Sequence, residues 1–116
     1  MVRKIEGATR IPVPGGKLID EHVGRVNSGD EEISIARMTA PPGWDEPAQT
    51  PSFTEYTVVL RGSVLVEHAE GTIEVTAGQS VVTSPGEKVR YSAGPDGAEY
   101  IAVCLPAFSP DTAGRD

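Results

Sequence analysis

Short runs of alternating apolar and polar residues, separated by turn residues, fill most of the chain, and no segment repeats apolar residues at helical spacing. Residues 32–40 predict a strand: Ile33, Ile35 and Arg37 share one face, Ser34, Ala36 and Met38 the other. Pro41, Pro42 and Gly43 stop it, and residues 44–54 are polar with Pro47 and Pro51, which predicts a loop. Residues 55–60 are rich in β-branched and aromatic side chains and predict a strand. Arg61 and Gly62 then signal a turn, with 63–68 as the second arm of a hairpin. Further strands are predicted at 72–76, at 80–83 as a short buried strand, at 88–92 and at 99–105. Turns separate them at Glu70-Gly71, Ala77-Gly78-Gln79, 84–87 and Gly94-Pro95-Asp96-Gly97. The last strand is apolar on both faces, which places it centrally. Residues 1–31 read as an N-terminal arm with edge strands, one of them around Lys4-Ile5-Glu6. Residues 32–105 read as the core of the same single domain, and 106–116 as a partly docked tail. Many short strands at this spacing imply an all-β sandwich or barrel.

Composition narrows the partners. The chain has 116 residues, Gly 13 and Pro 10, and a formal net charge of −7. Nucleic-acid phosphates and anionic membranes need a basic surface, so neither is expected as a partner. Cys104 is the sole cysteine, so no intrachain disulfide forms, and in an apolar strand it is expected to be inert. The N-terminus has two early basic residues but no apolar run behind them, and no stretch approaches the ~20 apolar residues of a membrane span. The expectation is a cytoplasmic protein. Asp30, Glu31, Glu32, Asp45 and Glu46 read as solvated surface.

One spacing carries more. Gly43, Gln49, Pro51, Glu55 and Gly62 stand in the register of the first motif of the cupin superfamily, which this stretch resembles. In that motif positions 49 and 51 are histidines and position 55 is a glutamate ligand. The second motif is similar to Gly78, Ser84, Gly86, Val89 and Ala93, where the family has histidine at 89 and asparagine at 93. A one-residue shift would put Arg90 at the histidine position instead. The resemblance spans roughly residues 32–105. It implies a double-stranded β-helix, a jelly-roll barrel with a cavity at one end, and a homodimer. It also implies a divalent transition metal held by three histidines and a glutamate, of which this chain retains Glu55 alone.

No cofactor is therefore expected, with a transition metal as the minor alternative, held by Glu55 and Gln49 if at all. Pro51 and Val89 offer no donor, and an amide is a weak ligand. Neither His22 nor His68 falls at a motif position. Glu55, Thr57 and Val59 share a strand face, and burial of that face would raise the Glu55 pKa toward neutrality. Glu55 is thus the candidate acid–base group, with Tyr91 as the candidate hydrogen-bond donor to an oxyanion. Trp44, Gln49, Thr57 and Arg90 are the candidate ligand-binding residues. Trp44 reads equally as a lid and as a cap on the core, and Glu55 equally as a structural carboxylate paired with Arg37, Arg90 or loop backbone. The expected function is binding of a small polar organic molecule in the barrel, with metal-independent chemistry at Glu55 and the question of enzyme activity open. The alternative is a metal-dependent cupin oxygenase or isomerase with an unusual ligand set.

Overall fold

The computed structural model describes residues 1–114. Seven strands and one short helix follow the chain: β1 Thr9–Ile11, β2 Leu18–Val23, β3 Ser34–Ala40, β4 Thr54–His68, β5 Gly71–Thr76, β6 Ser80–Thr83, β7 Arg90–Leu105 and α1 Pro110–Ala113. All pairings are antiparallel, in the order β1-β2-β3-β7-β4-β5, with β6 on the free edge of the first half of β4.

Two long bent strands make the barrel. β4 runs straight through the turn expected at Gly62, and β7 runs through the turn expected at Gly94-Pro95-Asp96-Gly97. The two bends face each other, since Gly62 pairs with Ala98, beside Gly97. Both glycines have positive φ, 72° and 76°, and a Cβ on Gly62 would stand 2.0 Å from the Gly97 carbonyl oxygen. The glycines therefore serve as bulges that fold one ladder over into two layers, not as hairpin turns. Thr54 to Gly62 pair with Leu105 to Ala98, and Val64 to Glu67 pair with Ala93 to Arg90.

Alternation along these strands sends one face inward. Val59, Val64, Val66, Val75, Val89, Tyr91, Tyr100 and Trp44 form the main buried cluster. Each such side chain contributes roughly 1.5–3 kcal/mol on burial. A second cluster joins Phe53, Cys104 and Ala113, with Phe108 against it. It is locked by the tail up to Gly114. Ser109 caps α1 in a reciprocal box with Thr112, and Thr50 and Ser52 donate their backbone N–H groups to the carbonyls of Gly114 and Thr112.

Two further expectations change. Lys4, Ile5 and Glu6 carry no strand; the N-terminal edge strand is β1, which pairs with β2. β6 is not buried: only Thr83 is, and Val82 is largely exposed, because β6 covers the edge of one layer and nothing lies over its outer face. The central position expected for the last strand is correct, since the second half of β7 lies between β3 and β4.

Candidate functional site

The inner face of β2, β3, β4 and β7 encloses a cavity of about 420 Å³. Met38, Phe53, Tyr100 and Phe108 supply apolar wall; Gln49, Glu55, Tyr91, Lys17 and Glu46 supply polar groups.

Glu55 sits one residue inside the start of β4 and is buried. One carboxylate oxygen, Oε2, accepts from the Thr57 hydroxyl at 3.2 Å; Cys104 Sγ lies 3.9 Å from Oε1. Burial raises its pKa from 4.5 to about 7; the Lys17 ammonium and the Thr57 hydrogen bond pull the other way, and Glu46 adds to the rise. A carboxylate poised there exchanges its proton near neutral pH. Neither Arg37 nor Arg90 pairs with it. Arg37 bonds Glu99 on the outside of the barrel, and Arg90 bonds Glu67 and Asp45.

Tyr91 shares the interior. Its hydroxyl lies 2.9 Å from the Thr83 hydroxyl, and burial, with Glu55 nearby, lifts its pKa far above the usual phenol value. Cys104 is buried, and its thiol is pushed up by the same desolvation and by Glu55, which fits an inert cysteine. Gln49 is held by a two-way backbone bridge: its N–H donates to the Val89 carbonyl, and the Val89 N–H to its own, both at 2.9 Å. That bridge ties together the two positions that correspond to family ligands.

The structure thus brings Glu55, Tyr91 and Gln49 to one cavity, with Thr57 buried behind Glu55. Arg90 is a correction. It is half-exposed at the start of β7, where its alternation points away from Tyr91 and two carboxylates hold it outside. Trp44 caps the core instead of forming a lid: it is buried in the main cluster, with Lys17 Nζ 4.2 Å from its ring centroid. Glu46 is not simple surface, since it lines the cavity.

Sequence reasoning missed Lys17. It is buried, and its ammonium also stands 5.4 Å from the Tyr100 ring. The signal was present: Lys17, Ile19 and Glu21 alternate, and all three are buried. Glu21 is occupied structurally, since its Oε2 accepts from the backbone N–H groups of Val26 and Asn27 at 3.0 and 2.8 Å.

The donor set does not fit the metal that the family's motif implies. Among the described residues no group of three or more His, Cys, Asp or Glu converges. Pro51 and Val89 are buried side chains without donors. His22 is exposed, and His68 Nδ1 accepts from the Glu70 N–H at 3.4 Å, away from the cavity.

The same jelly roll recurs in solved structures. Bacillus subtilis oxalate decarboxylase aligns with a TM-score of 0.80 at 19% identity, over 96% of this chain and 30% of that one. An RmlC-like cupin from Shewanella frigidimarina aligns at 0.74 and 17% identity, over 86% and 85%. The EutQ protein of Clostridium difficile aligns at 0.64 and 20% identity, over 78% and 63%.

The chain folds as a cupin.

No family's sequence profile matches this chain. A curated relative does: it is 43% identical over 105 residues, which cover 89% of this chain, and is named endoribonuclease YbeY of Myxococcus xanthus. This chain spans about a third of that relative's length, 35%. The relative corrects two expectations. A protein defined by binding a small polar molecule, or a metal-dependent oxygenase or isomerase, is not what its relative is named for. The exclusion of nucleic acid from the partners fails for the same reason, because that name belongs to an RNA-cleaving protein. Among the described residues no helix is long and apolar enough to cross a membrane.

Proposed function

We propose that this cupin is an accessory module of an endoribonuclease system, acting beside the nuclease in the cytoplasm and not cutting RNA itself. The observation that carries the reading is the 43% identity to a protein named endoribonuclease, across 89% of this chain but only 35% of that one. A match of that shape fits a barrel carried as one part of a longer RNA-processing protein.

The chemistry of the barrel supports the accessory role. Several of the surface cations are engaged within the barrel itself. Arg3 bonds Asp30, Arg10 bonds Asp20, Arg37 bonds Glu99, and Arg90 bonds both Asp45 and Glu67. A module with this surface serves the nuclease through protein contact, by stabilising it or restricting its access to RNA.

Calorimetry tests the reading. The purified chain is titrated into an endoribonuclease of the relative's kind that carries no barrel of its own. Micromolar or tighter binding to the nuclease is the expected result. No binding to the nuclease would overturn it.

A further inference from the structure

The outer face of the larger layer is apolar and bare. Strand register builds it row by row. Val82 on β6, Tyr56 on β4, Val103 on β7 and Ile35 on β3 lie side by side, and Val58, Ile101 and Arg37 form the next row. Leu105 extends the face beyond Thr54. Tyr56 is 44% exposed, Val58 40%, Leu60 48%, Val82 56% and Leu105 41%, so nothing in the described chain covers them. Together with the half-buried Ile35, Ile101 and Val103, they present on the order of 500 Å² of apolar surface, the upper range for a monomer and typical of a contact site.

We infer that this sheet face, centred on Tyr56, Val58 and Ile101, docks the nuclease part of the endoribonuclease system. The inference rests on the function proposed above and names the surface through which it works. Two observations select this occupant. The relative joins its matched segment to about twice as much additional chain, so in that protein a barrel of this kind has a neighbour to pack against. Counted over both partners, such a face buries on the order of 1,000 Å², which suits a contact between modules, commonly 600–1,500 Å², and falls short of the larger apolar interfaces of obligate dimers. At the rim Arg61, which donates to the Asp96 carbonyl at 3.4 Å, stands ready for a partner carboxylate.

Hydroxyl-radical footprinting of the full chain, alone and with saturating barrel-free endoribonuclease, tests the inference. Oxidation of Tyr56 and Leu60 is expected to fall at least five-fold in the complex. Val58→Lys is expected to weaken the affinity at least ten-fold, while Glu74→Lys, on β5 of the other layer, changes it less than two-fold; melting curves of both variants check the fold. A complex that forms with Tyr56 unprotected and Val58→Lys binding normally would overturn the docking face and leave the nuclease reading standing. No complex at all would overturn both. Protection of Tyr56 in the chain alone with concentration-dependent sedimentation would assign the face to a second copy, and protection by RNA alone would assign it to RNA; either result overturns the inference.

Discussion

Replacing Glu55 by Gln should make this protein more stable at alkaline pH and leave it nearly unchanged in acid. Glu55 is buried, and its pKa rises from 4.5 to about 7, chiefly through desolvation. A carboxyl whose folded pKa lies above its unfolded value holds its proton more tightly when folded. The stabilisation from that proton is fully present below about pH 4.5 and is lost as pH rises through about 7. At about 1.4 kcal/mol per tenfold change in proton affinity, the gap corresponds to about 3 kcal/mol. Glutamine keeps the shape and an acceptor for the Thr57 hydroxyl but has no charge to desolvate. Surface carboxylates such as Asp20 and Asp30 have lowered pKa values and titrate in acid. They do so equally in both proteins, so the difference between variant and parent isolates position 55. Urea denaturation of the two at pH 5 and pH 8 measures it. The difference should move in favour of Glu55→Gln by about 2.5 kcal/mol between those conditions, since pH 5 already ionises most of the unfolded carboxyl. A difference independent of pH would refute the reasoning and place the Glu55 carboxylate in a hydrated environment.

Arg90→Ala should cost less than about 1 kcal/mol, because its ion pairs with Asp45 and Glu67 are partly solvated, and 1 M salt should erase most of that loss in thermal melts. Gly62→Ala should cost on the order of 3 kcal/mol or more, since its Cβ would meet the Gly97 carbonyl at a positive φ; loss of the cooperative melt is the expected readout, and a normal melt would mean the bend is not fixed there. The double change Gln49→His with Pro51→His should create a transition-metal site with Glu55, detectable by calorimetry; no gain in affinity would mean that positions 49, 51 and 55 do not converge.

The fold was legible because two independent patterns agreed. Strand alternation placed β3 to β7, though not β1, β2 or α1, and the glycine and glutamate spacing from Gly43 to Gly62 matched the jelly roll that the structure adopts. The two bends were misread for a physical reason. A glycine at positive φ serves a hairpin turn and a strand bulge alike, and only the partner across the ladder decides between them. Gly62 and Gly97 face each other, a contact 35 residues apart that no local window reveals. The interior was partly legible: Glu55 and Tyr91 followed from alternation, whereas Lys17 was passed over because a buried lysine defies the usual expectation. Arg90 was misplaced by reliance on a motif register, although its alternation against Val89 and Tyr91 already pointed outward. Function was the least legible part. The charge of −7 led to the exclusion of nucleic acid, which the relative named for RNA cleavage overturns, because net charge alone says nothing about a partner that handles RNA.

The central claim is tested most directly by cleavage of one structured RNA, followed with a barrel-free endoribonuclease of the relative's kind, with this chain alone, and with the two together. The account predicts no cleavage by the chain alone and a saturable change in the nuclease's rate or RNA preference as the chain is added. Cleavage by the chain alone, or a nuclease indifferent to saturating chain, would contradict it.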